Sequence, residues 1–268
     1  MESFRAEFPG KFVNIFPIGD WHLGSAQAKE SFIRRVIAMI EIDPDARWVG
    51  MGDLMENALI GSKSDVYKQL IPPKEQMDRI VELLEPIKKK GLFLIAGNHE
   101  QRTMRMAGID PEAYIATRLD LPFLGFSVMA RFKLKGAHNG ASIFTAYFHH
   151  NYGGGGSYGG KVNRADKLRD ICPTVDAVFS GHFHITSRIP VSWFEWGDSV
   201  VHKRTGYDYI TGSAITWNES YAEEKPVPPS AVEHICVTFR GGSCSDGVDD
   251  RSQEYHVISD SPSISFKG

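Results

Sequence analysis

Five polar clusters carry side chains that bind metal ions and move protons: Asp20-Trp21-His22, Gly52-Asp53, Gly97-Asn98-His99-Glu100, His149-His150 and Gly181-His182-Phe183-His184. Together they offer two aspartate carboxylates, one amide and at least four imidazoles. A mixed nitrogen and oxygen set of this kind suits Mn, Fe, Co, Ni or Zn rather than a calcium cage. No cysteine adjoins a cluster, which excludes a zinc finger or an iron–sulfur site. A carboxylate has two oxygens and can bridge two ions. One carboxylate with two imidazoles can hold one ion, and the amide oxygen of Asn98 with two more imidazoles can hold another. Two ions roughly 3.5–4 Å apart can clamp a phosphoryl group and activate a water to hydroxide near neutral pH. A lone histidine after a strand is more often a core residue than a ligand. Here six of the ten histidines fall in the clusters, and it is the joint pattern that points to two metals. His138, His202, His234 and His256 lack matching neighbours and read as ordinary surface or core residues.

Residues so far apart in sequence must be brought together by the elements that end at them. Each cluster follows an apolar run: Phe12–Ile18, Trp48–Gly50, Leu92–Ala96, Ile143–Phe148 and Val175–Phe179. Runs apolar on both faces read as strands covered on both sides. Side chains at the carboxyl ends of neighbouring strands share one rim, where open α/β sheets bind ligands. Helical spacing marks Lys29–Ile42, which Asp43-Pro44 stops, and Lys74–Lys90, which Pro86 kinks and Gly91 closes. This alternation predicts βαβ units. Residues 54–71 form a long connection with little pattern. Phe126–Leu134 and Ser142–Phe148 read as a hairpin, Asn163–Ile171 as a helix, and Arg188–Trp196, Tyr207–Ile210, Ala231–Phe239 and Glu254–Ile258 as strands.

Five blocks in this order, each after a strand-like run, resemble the signature blocks of the calcineurin-like metallophosphoesterases over about residues 12–215. The resemblance implies an α/β (α+β) fold, a two-layer β-sandwich flanked by α-helices, with the metal site at the carboxyl ends of the strands. It also implies that Asp20, His22 and His184 bind a first metal, that Asp53 bridges, and that Asn98, His182 and one of His149 and His150 bind a second. The family has a small residue after its fourth-block histidine, which favours His150 as ligand and leaves His149 to contact phosphate or pack beside it. His99 would be the general acid or a hydrogen-bond donor to the departing oxygen. The protein-phosphatase branch reads Gly-Asp-x-x-Asp-Arg-Gly in its second block, whereas this chain has Gly52-Asp53-Leu54-Met55-Glu56-Asn57. Glu56 stands where that branch pairs an Asp with the catalytic His, and would orient His99. The missing Arg counts against a protein phosphatase and favours a diester, which carries less charge.

Gly153-Gly154-Gly155-Gly156-Ser157-Tyr158-Gly159-Gly160-Lys161 is either a plain flexible loop or a rim loop whose N–H groups approach phosphate. On the second reading Gly154, Gly155 and Lys161 contact substrate. It is not a P-loop, because Val162 follows the lysine. Arg102 and Arg105 lie close after the third block, as phosphate ligands or on a solvated helix face. Trp193, Phe194 and Trp196 read as a strand packing one face inward rather than as a base-stacking platform.

A 268-residue chain of 42 % hydrophobic and 24 % charged residues fits a soluble globular protein, read here as a single domain over 1–268. Three cysteines give no disulfide framework, and there is neither a signal-peptide pattern nor an apolar stretch near the ~20 residues a membrane span needs. A cytoplasmic location is therefore expected. A net charge of −3 argues against nonspecific nucleic-acid binding, although bound cations would make the cleft locally positive. The expected activity is hydrolysis of a phosphodiester, in DNA, RNA or a nucleotide, with two divalent ions, Mn first and Fe, Zn, Ni or Co as alternatives. The rivals are a phosphomonoesterase of the same fold and a non-catalytic binding scaffold.

Overall fold

The structure is a computed structural model. It describes residues 1–62, 64–136, 141–153, 157–197, 200–216, 231–242, 244–245, 248–249 and 251–260, the main chain alone for 244–245 and 248–249. In chain order the strands are β1 (Glu2–Phe8), β2 (Phe12–Ile18), β3 (Ala46–Gly50), β4 (Gly91–Leu94), β5 (Ser127–Leu134), β6 (Ser142–His149), β7 (Ala177–Ser180), β8 (Thr186–Trp196), β9 (Val201–Ser213), β10 (Glu233–Arg240), β11 (Cys244–Ser245), β12 (Val248–Asp249) and β13 (Ser252–Ser259). The helices are α1 (Glu30–Ile42), α2 (Pro73–Leu84), α3 (Glu100–Ala107), α4 (Pro111–Arg118) and α5 (Tyr158–Asp166).

Strands β2, β3 and β4 are parallel and adjacent, with α1 and α2 in the crossovers. β10 lies antiparallel to β2, and β13 to β10. These five form one layer. The other runs β1-β5-β6-β7-β9, with β8 paired to β9. β9 joins the two layers by pairing Gly212 and Ser213 with His234 and Glu233 of β10. Gly212 has φ +85° and a Cβ there would sit 2.0 Å from the Glu233 carbonyl oxygen, so the crossing requires glycine.

The layers close over an apolar core of Val13, Ile15, Val49, Phe93 and Ile95 from one side and Phe132, Phe144, Phe148, Phe179 and Tyr209 from the other. Phe148 stacks on Phe179 at 4.6 Å and meets Phe93 edge-on at 5.4 Å. Outside the first layer, α1 buries Phe32, Ile33, Val36, Ile37 and Ile40 with α2 and α4 around Trp48. Outside the second, α5 packs Ala165 on Phe183 and Ile210. Each strand that ends in a cluster is thus apolar on both faces because it is covered on both faces. The result is a mixed-sheet α/β sandwich with flanking helices, as the five blocks implied.

Several elements differ from expectation. β1 was not foreseen, although Phe4, Ala6 and Phe8 alternate as an edge strand should, and it pairs in parallel with β5. Pro86 changes the expected second helix from α to a 3₁₀ turn over Glu85–Lys90 instead of kinking it. α3 and α4 fill a stretch left unassigned. α4 opens on Asp110, whose side chain accepts from the N–H of Glu112 and Ala113, with Pro111 in the first turn. α5 starts at Tyr158, five residues before the expected helix, because Ser157 caps it by accepting from Gly160 N–H. Lys161 therefore sits on a helix, not in a loop, and is half-buried. Gly154 and Gly155 lie outside the described residues, as does His138. β8 and β9 run on past the end of β7 as a two-stranded ribbon, so Trp193 is half-buried but Phe194 and Trp196 are 76 % and 83 % exposed. Cys172 and Cys236 are buried free thiols. Among the described residues no helix is long and apolar enough to cross a membrane.

Candidate metal centre

The carboxyl ends of β2, β3, β4, β6 and β7 lie side by side, and the chain turns sharply just beyond them. Among the described residues eight non-glycine residues have positive φ. Five of these are Asp20 (49°), His22 (46°), Asp53 (51°), His182 (74°) and His184 (53°). Left-handed backbone costs an L-residue about 1–2 kcal/mol. Five such residues in one place mark a site where geometry is set by function and held by the surrounding fold.

Three groups of donor atoms converge there: Asp20, His22 and His184; His22, Asp53 and His99; and Asp53, His150 and His182. His22 Nε2 faces His184 Nε2 at 3.2 Å, and Asp20 Oδ1 lies 3.3 Å from His184 Nε2. Asp53 Oδ2 is 3.1 Å from His150 Nε2, 3.8 Å from His22 Nε2 and 3.9 Å from His99 Nε2. The same carboxylate oxygen thus borders both outer groups. Asp53 Oδ1 is held apart from them, accepting from His99 N–H at 2.8 Å.

Two observations test whether cations fit. Asp20 Oδ1 is buried with no hydrogen-bond partner. The Asn98 amide turns its oxygen toward His182 Nδ1 at 2.7 Å, His150 Nε2 at 3.2 Å and Asp53 Oδ2 at 3.3 Å. Asp53 Oδ2, and His182 Nδ1 with its ring donating from Nε2, bring no proton to that oxygen, and a cation at their common centre satisfies all three. Exchanging the amide oxygen and nitrogen also makes hydrogen bonds there, so the orientation follows from what occupies the centre.

Electrostatics agree. Burial opposes charge on His150, but the Asp53 and Asp20 carboxylates outweigh it and lift the imidazole to about 10. Burial likewise opposes charge on His22, and Glu56, Asp53 and Asp20 raise it. A pocket whose negative field protonates its own imidazoles also favours a bound cation.

The ligand rings are oriented from behind. His22 Nδ1 meets Glu56 Oε2 at 3.2 Å, His150 Nδ1 the Met51 carbonyl at 2.7 Å, and His182 Nε2 the Gly153 carbonyl at 3.2 Å. Such partners fix the tautomer and raise ligand basicity. Glu56 was expected to orient His99. Its carboxylate goes to His22 instead, and its main-chain carbonyl accepts from His99 Nδ1 at 2.7 Å. The carboxylate is 3.8 Å from His99 Nδ1, beyond a hydrogen bond. His99 is neutral, its imidazole pushed down to about 3 by burial above all.

His149 was expected to contact phosphate or to pack outside the ligand shell. Alternation along β6 turns it away from His150 to the side of Tyr147, and its Nδ1 accepts from Asn151 N–H at 2.6 Å. Arg102 was expected on phosphate, but its guanidinium is engaged by protein acceptors. The sequence reading passed over the residues that carry the site's main chain. Glu100 accepts from the N–H of Asp53 and Met55, both at 3.1 Å, and Glu112 from Gly97 N–H at 2.9 Å. Asn57 donates to the His99 carbonyl at 2.6 Å. Glu100 and Asn57 stand inside quoted blocks, whereas Glu112 has only the Asp-Pro-Glu helix start to signal it.

A model of the calcineurin-like phosphoesterase family matches residues 14–186, so the chain belongs to that family. Among solved structures it is similar to the calcineurin-like phosphoesterase YfkN of Bacillus subtilis, with a TM-score of 0.45 and 12 % identity over 94 % of this chain and 91 % of that one. It is also similar to Vps29 of Chaetomium thermophilum, with a TM-score of 0.36 and 12 % identity over 92 % of this chain and 97 % of that one. The search among curated proteins found no match.

Proposed function

We propose that this chain is a metal-dependent phosphodiesterase acting on nucleic acid or a nucleotide. The observation that carries the reading is Asp53 Oδ2, one oxygen within reach of two donor groups. Asp20, His22, His184 and Asp53 would hold one divalent ion, and Asp53, Asn98, His150 and His182 another. The nitrogen and oxygen set favours manganese, with Fe, Zn, Ni or Co as alternatives. When bound, such a pair lowers the pKa of water between the ions and offsets charge on a phosphoryl group.

The chain's own residues would do the rest. Asp53 would hold the two centres in register while Glu100 fixes its main chain. His99, gripped at Nδ1 by the Glu56 carbonyl, would present Nε2 to the leaving oxygen. The choice of a diester is supported by the second block, where Leu54 and Met55 are buried in the core and Glu56 is bound to His22, so that block itself supplies no cation to a dianion. Tyr152, two residues past His150, is 69 % exposed and offers a ring on which a base can stack. The free thiols of Cys172 and Cys236 support a reducing, cytoplasmic setting.

The test compares bis-p-nitrophenyl phosphate with p-nitrophenyl phosphate, each with Mn²⁺. Faster turnover of the diester is expected, and faster turnover of the monoester would overturn the preference. No bound metal and no hydrolysis with any divalent ion would support the binding scaffold instead.

A further inference from the structure

We propose that Arg102 is a positioning residue for His99, an inference that rests on the phosphoesterase reading above. One guanidinium makes four contacts. Nη2 donates to His99 Nε2 at 2.8 Å, while Nη1 donates to the carbonyls of Glu56 at 3.1 Å and Asn57 at 3.3 Å and to Ser64 Oγ at 2.9 Å. The Glu56 carbonyl accepts in addition from His99 Nδ1. His99 is therefore held at both ring nitrogens, and the two holders are themselves bonded to each other. The closed loop ties the third block to the connection after β3, which otherwise has a single 3₁₀ turn for regular structure (Val66–Lys68).

The pattern also assigns the tautomer. A guanidinium can only donate, so Nε2 is an acceptor and the proton sits on Nδ1. In this arrangement the nitrogen nearest Asp53 has no proton to give. A substrate oxygen arriving there meets Arg102 Nη2 and His99 Nε2 together, and His99 can donate from Nε2 only after Arg102 lets go and that nitrogen has taken a proton from water. Lysine cannot reproduce the fork, because it offers one ammonium where two nitrogens now serve separate sets of acceptors.

Four variants test this on the full chain with Mn²⁺ and bis-p-nitrophenyl phosphate: R102A, R102K, H99N and the double variant H99N/R102A. We expect R102A to lose about 10–100-fold in kcat with little change in KM or bound metal, as for other residues that orient a functional group. R102K keeps charge and fold but should not rescue, whereas guanidinium added at millimolar concentration should partly restore R102A. Because Arg102 acts through His99, R102A in the H99N background should cost nothing further. Additive losses in the two backgrounds would overturn the proposal. A long-range ¹H–¹⁵N spectrum of the imidazoles reads the same contact without turnover. Nε2 of His99 should give an acceptor signal in the wild type that shifts in R102A. If wild type hydrolyses neither substrate, the functional reading fails, and this spectrum alone decides Arg102. An unchanged His99 signal in R102A refutes it.

Discussion

The two donor groups of the rim are built differently. Asp20, His22 and His184 are backed by charge: Asp20 is a buried carboxylate, and a second carboxylate, Glu56, stands behind His22 at 3.2 Å. Asn98, His150 and His182 are backed by neutral dipoles: an amide supplies the oxygen, and main-chain carbonyls of Met51 and Gly153 orient the rings. Asp53 Oδ2 borders both, 3.8 Å from His22 Nε2 and 3.1 Å from His150 Nε2. The first group thus concentrates more negative charge around its centre, and the second depends more on shape. Two centres built of similar residue types need not bind ions equally, because the atoms behind the ligands set their basicity.

The sharpest way to break the comparison is to remove what the groups share. Asp53→Ala should abolish binding at both centres and lower turnover by at least about 100-fold, as loss of a central charged group does. Elemental analysis alongside a diesterase assay checks both. Retained activity would end the two-centre reading. A smaller effect separates the groups. Glu56→Gln should weaken ion binding at the Asp20 side by about 10–100-fold and leave the Asn98 side unchanged, whereas His182→Ala should do the reverse. Competitive titration with a chelator distinguishes them, and equal losses at both centres would remove the proposed asymmetry.

The smallest effect concerns the scaffold behind both groups. Burial first, and then the charge of Glu100, hold the Glu112 carboxyl well above the usual range. Its Oε1 is also without a hydrogen-bond partner. The folded chain keeps Glu112 protonated while the unfolded chain ionises it. Its contribution to stability is therefore full below about pH 4.3 and is lost as pH rises toward the folded value. Glu112→Gln should remove that slope and be the more stable protein at pH 8 in thermal melts. A wild-type protein that gains stability between pH 5 and 8 relative to the variant would contradict the sign.

Much of this rim was readable from residue types and order. Apolar runs ending in Asp20, Asp53, Asn98, His150 and His182 announce buried strands, and strand ends in an α/β layer share an edge. That these residues would gather at one rim therefore followed from local pattern plus one topological rule, while their assignment as metal ligands came from the family resemblance. What went astray were second partners. Nothing in the spacing of Glu56 says whether its carboxylate meets His22 or His99, since both are brought near it by other segments. Arg102 read either as a phosphate ligand or as part of a solvated helix face, because an arginine near a site offers free donors until its acceptors are known. The start of α5, with Lys161, was read as loop because glycines argued for one, and a single cap at Ser157 outweighed them.

Local pattern by itself determined which segments would be buried strands and which polar residues would stand at their ends, because burial on two faces leaves a mark in every run of side chains. Only the tertiary structure decided which carboxylate backs which imidazole, that Asp53 borders two groups, and that Arg102 grips His99. All but the Arg102–His99 contact, which spans three positions, join residues tens of positions apart, and their geometry depends on the packing of two sheets that no single segment encodes.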